Sequence, residues 1–169
     1  HFDSATQGKY PGTILLDILI EDSIYPEEIE SKIQTKWIET EKDTFVTTPS
    51  IDAITGDKLT AFAPNTIGIP YFKGKDKQSF AMEICKQLFD LSKLFEKIRR
   101  IEMVSQSFHA FAIQEIEYRK AEMGKSKLTP EIVLKDTIET CRIITSRGKG
   151  DPEKQVTFAE LQKGITAFG

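Results

Sequence analysis

The feature that most constrains this chain is a hydrophobic stripe in its middle. From Ser79 to Ile98, the residues Ile84, Leu88, Leu91, Phe95 and Ile98 recur at spacings of 4, 3, 4 and 3. That rhythm puts all five side chains on one side of an α-helix, which a strand cannot do. A second stretch, Arg100 to Met123, follows almost at once. Its apolar face is Ile101, Val104, Phe108, Phe111 and Ala112, and Gly124 is a natural C-terminal stop. Two long amphipathic helices in succession need further helices to cover their faces. Thr129-Pro130-Glu131 opens one that runs to about Thr145 and is closed by Arg147-Gly148. The capping-box pattern Thr157-x-x-Glu160 opens a last short helix.

The first third reads differently. Thr13 to Glu21 (TILLDILIE) is short and apolar between Pro11-Gly12 and Glu21-Asp22, the pattern of a buried strand. Pro26-Glu27-Glu28 suits a helix start, with an end near Gln34. Thr35 to Thr40 and Thr44 to Thr48 flank Glu41-Lys42-Asp43 and are rich in β-branched and aromatic residues, so they predict a hairpin. Ser50 is the expected N-cap of a helix over 51–62, with Ile51, Ile54, Leu59 and Phe62 as its stripe. Pro64 to Gln78 reads as a long loop. The expected fold class is α+β: a small mixed or antiparallel sheet in residues 1–48, followed by a helical bundle over 49–169.

Composition excludes several function classes. The chain has 169 residues, 39% apolar and 29% charged, which is ordinary for a globular domain. Its formal net charge of −3 means that any basic patch is local. Cys85 and Cys141 carry no framework spacing and are expected as reduced core thiols. The most apolar run, Ile14 to Ile20, is interrupted by Asp17 and is far too short to span a membrane. With no signal-peptide pattern at the start, a cytoplasmic location is the default expectation.

A few residues ask for a chemical explanation. Asp17 sits between Leu15 and Leu19 on one face of the first strand. It is either solvated on a half-exposed face or a rigid ligand for a hard cation such as Mg²⁺. Lys58 is either a solvated helical lysine or a point charge for phosphate oxygens. Asp90 lies beside the buried stripe. It either forms exposed helix pairs with Lys86 and Lys93 or points into a cleft. Glu115 falls within the apolar face of its helix, one turn before Arg119, where the helix is expected to outlast the core. His109 lies off that face and reads as structural. Lys73, Lys75 and Lys77 form a local basic loop that can touch phosphates. There is no Gly-rich phosphate loop, nucleophile elbow, HExxH or aromatic–basic alternation.

Three segments taken in order carry a resemblance: LLDILIE, then TPSIDAITGDKLTAF, then KQLFDLSKLFE. Together they resemble the nucleotidyltransferase AbiEii/AbiGii toxin family. Pro49, Ser50, Lys58, Leu59 and Ala61 match its middle motif. Lys86, Phe89, Asp90 and Leu91 match its RDxYDL motif, with Lys for Arg, Phe for Tyr and Gln87 in place of the first aspartate. The resemblance implies a polymerase-β-type enzyme that moves a nucleotide from an NTP to an acceptor, RNA in some toxins, and that pairs with an antitoxin protein. It implies Mg²⁺ held by three carboxylates, with Asp17 as catalytic residue and metal ligand and with Lys58 and Asp90 on the nucleotide side. Two of those carboxylates belong to a G-G/S…D-x-D motif upstream of LLDILIE, and residues 1–12 contain neither part of it. The expectation is therefore a C-terminal portion of such an enzyme, inactive alone, with its sheet edge open to a second copy. The alternative is a non-catalytic helical interaction module with a structural sheet.

Overall fold

A computed structural model describes Ile18 and residues 20–34, 40–123 and 127–168. Two small antiparallel sheets and five helices form among them. Strand β1 (Glu28–Lys32) pairs with β2 (Phe45–Pro49) in a register that sets Glu28 opposite Pro49 and Lys32 opposite Phe45. Helix α1 (Ile51–Ala61) follows directly. A two-residue pair, β3 (Phe72–Lys73) and β4 (Gln78–Ser79), then leads into α2 (Ala81–Phe95), α3 (Ile101–Met123), α4 (Pro130–Ser146) and α5 (Pro152–Phe168). The α+β class is the one expected.

The long helices fall where the apolar stripes place them, and two ends are refined. Helix α4 closes as the sequence predicts, with Arg147 in a left-handed conformation (φ 56°). Helix α5 begins earlier than the capping-box pattern suggests. Asp151 accepts from the backbone N–H of Glu153 and Lys154 at 3.0 and 3.2 Å and is the effective cap. Thr157 instead donates back to the carbonyl of Glu153.

The early segments depart further from expectation. The stretch expected as a helix after Pro26 is strand β1, and it is β1 that partners Phe45–Pro49. A nine-residue helix has little stability of its own. The β-branched strand Phe45–Pro49 needs a ladder partner, and Ser31 and Thr48 add a hydroxyl pair at 2.9 Å across it. Glu27, expected near a helix start, ion-pairs with Arg100 instead. The expected first hairpin strand falls largely on residues 35–39, outside the described residues. So do most of the strand 13–21, its edge and Asp17. Within that run, Ile18 and Ile20 are exposed and not in a strand. The expected loop 64–78 contains the β3 strand and its tight turn.

Helix α1 forms as expected, with the Ser50 hydroxyl accepting from the Ala53 N–H at 3.2 Å. The expected stripe holds only in part: Phe62 is buried and Leu59 packs on the core, but Ile51 is exposed. The buried residues are Asp52, Ala53, Thr55, Gly56 and Thr60, because α1 packs against α2, α3 and α4 at once. Small residues allow this. A Cβ on Gly56 would lie 2.4 Å from the Val104 carbonyl oxygen and 2.6 Å from the Phe108 nitrogen of α3. The Ser107 hydroxyl also donates to the Ala53 carbonyl at 2.5 Å across this contact.

The core has two lobes. One holds Phe62, Ile84, Cys85, Leu91, Ile143 and Leu161, and the other Ala63, Ile67, Phe108, Ala112, Ile116 and Val133. Leu59 of α1 packs against both. Both cysteines are free, but only Cys85 is buried, and Cys141 is exposed rather than in the core. Asp136 of α4 fastens the turn after α1. Its carboxylate accepts from Asn65 N and Nδ2, both at 2.8 Å, and from the Thr66 hydroxyl at 2.9 Å.

Two substitutions test this packing. Gly56→Ala is expected to destabilise the chain by about 3 kcal/mol, since rigid backbone of α3 must move to admit the methyl. Asp136→Ala is expected to cost about 1–2 kcal/mol by removing the acceptor of three part-buried hydrogen bonds. Urea unfolding midpoints measure both, and near-native values would refute the assigned contacts.

Candidate functional site

Helix α1 presents two adjacent polar residues to different neighbours. The Lys58 ammonium donates to Asp90 Oδ2 and to Gln87 Oε1, each at 3.2 Å. Gln87 and Asp90 are three positions apart on α2 and so lie on one side of it. The structure therefore brings Lys58 and Asp90 together. It does not give Asp90 the helix pairs that its flanking lysines suggest, and Lys93 pairs with Glu96 instead. Gln87, the departure from RDxYDL, still serves as an acceptor for Lys58.

Asp57 faces a cavity of about 390 Å³ lined also by Ala61, Glu83 of α2, Glu115 and Arg119 of α3, and Lys73 of β3. The Tyr25 hydroxyl donates to Asp57 Oδ2 at 2.6 Å, and its ring packs on Phe111 with centroids 4.6 Å apart. Burial pushes the Asp57 carboxyl above its usual range, opposed by the Tyr25 hydrogen bond and the Lys58 charge. The Tyr25 hydroxyl is likewise pushed up, first by burial and then by Asp57.

Glu115 is half-buried at the same cavity, and the core continues past it to Ile116, so the helix does not outlast the core there. Burial raises its carboxyl, Arg119 opposes, and Asp57 and Glu21 add to the rise. The Arg119 guanidinium stands 4.0 Å from Glu115 Oε2, an ion pair too long to be a hydrogen bond. Its buried Nε has no hydrogen-bond partner among the described residues. Nearby, the Tyr118 hydroxyl donates to Glu21 Oε2 at 2.9 Å. Residues just downstream of Asp17 in sequence are thus tied to this face through Glu21 and Tyr25. His109 is exposed on α3 and lines none of this.

Mg²⁺ favours hard oxygen donors, usually one or two carboxylates with waters and substrate phosphates. Among the described residues, no three His, Cys, Asp or Glu side chains are placed to hold a metal ion. Asp90 is committed to Lys58, and burial biases Asp57 and Glu115 toward their neutral forms. These residues do not fit a Mg²⁺ site by themselves. Asp17, the metal candidate, lies outside the described residues.

Sequence reading missed Tyr25 and Asp57. Asp57 carried a weak signal as the acidic neighbour of Lys58. Tyr25 carried none, because its role depends on a contact across 32 positions.

The structure thus holds a lysine between Asp90 and Gln87 on one side of α1, and on the other a cavity lined by both acidic and basic side chains. The model of the nucleotidyl transferase AbiEii toxin family, of a type IV toxin–antitoxin system, matches residues 1–164. The chain belongs to this family. No curated protein and no solved structure matches it. No helix among the described residues is long and apolar enough to cross a membrane.

The raised Asp57 carboxyl gives a signed pH prediction. Such a group is held at no cost when protonated, and it loses the native state stability as pH rises from 3.8 through its folded value. Asp57→Asn keeps an acceptor for Tyr25 and removes that loss. Its stability relative to the native chain is expected to increase as pH climbs from 3.8 toward neutrality. Urea titrations at a series of pH values check this, and a constant difference would contradict it.

Proposed function

We propose that this chain forms the nucleotide-side wall of a nucleotidyltransferase toxin that transfers a nucleotide from an NTP to an RNA acceptor. In that reaction an acceptor hydroxyl oxygen bonds to the α-phosphorus and pyrophosphate leaves. One observation carries the reading: Lys58, at a family motif position, is clamped by Asp90 and Gln87 at the second motif. An ammonium has three donors. Two point at α2, and the third is the one assigned here to a phosphate oxygen. Asp90 and Gln87 act as positioning residues, fixing a flexible side chain before the ligand arrives.

The metal side of the reaction is assigned elsewhere. Residues 1–169 contain no G-G/S or D-x-D pattern, so Asp17 is the one metal-side carboxylate proposed in this stretch. On this reading residues 1–48 belong to the catalytic lobe and 49–169 to a helical lobe, and the stretch is inactive alone. The NTP and antitoxin partners and the cytoplasmic setting come with the same proposal.

A second reading, an interaction module, draws support from an apolar groove of about 570 Å³. It lies between α1, α2 and α4 and is lined by Leu59, Phe62, Leu88, Phe95, Leu134 and Ile138.

Incorporation of labelled NTP into RNA by the full-length gene product separates the two. Lys58→Ala is expected to lower incorporation about 100-fold, the usual scale for losing one electrostatic contact to a reacting phosphate. Asp90→Asn, which leaves an acceptor but no charge, is expected to lower it about tenfold with the larger part in KM. Full activity in Lys58→Ala would remove the nucleotide assignment and favour the interaction reading.

A further inference from the structure

The β3–β4 hairpin and helix α3 meet at a recess that the nucleotide-site reading does not use. It has a volume of about 370 Å³ and is lined by Pro70, Lys73, Glu115, Tyr118 and Arg119. Pro70, Lys73, Glu115 and Arg119 also border the cavity that holds Asp57, so the recess opens directly off that cavity and Tyr118 is what it adds.

The hairpin has a firm base and a basic tip. The Phe80 N–H donates to the Tyr71 carbonyl at 3.0 Å, and the Ser79 hydroxyl donates to Glu160 of α5 at 2.5 Å. Beyond that base, Lys73, Lys75 and Lys77 are all exposed. None of the three forms an ion pair among the described residues, whereas Lys32, Lys58, Lys93, Lys120, Lys154 and Lys163 all do. Lys77 adopts a left-handed conformation (φ 49°) that a lysine takes only when the turn imposes it. With Asp76 set among the three lysines, residues 73–77 carry a formal charge of +2 (three Lys less one Asp) in a chain of net charge −3, a local excess of positive charge.

Helix α3 supplies the complementary parts. The Tyr118 ring is half exposed. Its hydroxyl is tied to Glu21, which fixes the ring without covering its face. Arg119 donates through Nη2 to the Gly68 carbonyl at 3.5 Å and faces Glu115 at 4.0 Å, while its Nε has no hydrogen-bond partner among the described residues. Cations that track a phosphate backbone beside a fixed aromatic ring are what single-stranded nucleic acids bind. Double helices do not present an open base face for stacking. The aromatic and basic groups come from segments about forty residues apart, so they form no linear alternation in the sequence.

We infer that this recess seats a single-stranded nucleic acid, with Tyr118 stacking on a base and with Lys73, Lys75, Lys77 and Arg119 meeting consecutive phosphates. The inference rests on the proposed RNA acceptor and assigns its docking surface.

Fluorescence anisotropy of a short labelled single-stranded RNA against the full chain tests it over a series of salt concentrations. Replacing Lys73, Lys75 and Lys77 together by Gln is expected to reduce the slope of log affinity against log salt by about two, at ~0.7 per lost phosphate contact. Tyr118→Ala is expected to weaken binding about tenfold, whereas Tyr118→Phe, which keeps the ring and loses the Glu21 bond, stays near the native affinity. Lys58→Ala is expected to bind the RNA normally, because the two sites are separate. An unchanged salt slope in the triple variant overturns the seat and leaves the Lys58 reading intact. Equal affinity for duplex RNA also overturns it. If the native chain binds no RNA while NTP binding still depends on Lys58, the acceptor surface falls and the nucleotide side survives. Unchanged thermal unfolding of each variant shows that a lost affinity is not lost folding.

Discussion

The position of every group in the cleft depends on how closely α1 can lie on α3. Gly56 permits that approach, because any side chain there meets the backbone of α3. Ser107 then bonds the Ala53 carbonyl, which replaces water at a buried contact rather than leaving a polar group unpaired. With its small face against α3, α1 must send its next residues elsewhere. Asp57 meets Tyr25 and the cavity, and Lys58 meets α2. The chemistry of the site is thus fixed by a residue with no chemistry of its own.

Fixing α1 also explains why the ion pairs here matter more for placement than for stability. Lys58–Asp90 and Arg119–Glu115 are both partly exposed. Pairs of this kind add little to folding. What they do is narrow the positions open to long side chains. A lysine held by two acceptors on one helix loses most of its rotamer freedom before a ligand arrives, so the entropy cost falls on folding and not on binding. Asp52 plays the same part at the other end of α1. Its carboxylate takes the Arg99 N–H and the Arg100 guanidinium, which sets the start of α3 relative to the hairpin, and those bonds hold its carboxyl below the usual range.

How much of this was legible in the sequence depended on whether a feature was local. The α2 and α3 helices, the Ser50 cap and the Arg147 stop are written in residues a few positions apart, and the structure follows them, except that α2 stops before Ile98 and that Phe95 and Ile101 of the stripes are exposed. The segment after Pro26 was misread because a local helix-start pattern competed with a strand partner thirteen or more positions away, and pairing prevailed. The stripe on α1 holds at Leu59 and Phe62 and not at Ile51 for a different reason. A helix covered on several sides has no single apolar face, so periodicity is a weak guide there. At the site, motif spacing singled out Lys58 and Asp90. Tyr25 and the Asp136 clamp rest on contacts across 32 and 71 positions, and nothing local announces them.

The balance of charge around the cleft bears on what can enter it. Asp57, Glu115 and Asp90 look at first like a barrier to a polyphosphate. Burial biases Asp57 and Glu115 toward their neutral forms, and Asp90 is offset by Lys58. Among the described residues, these carboxylates are not grouped with others in a way that could hold a metal ion. On the proposed reading, this wall meets the phosphate and leaves the metal to other residues. This is the division of labour expected when the metal-binding carboxylates stand on another part of the fold and the helical part orients the nucleotide.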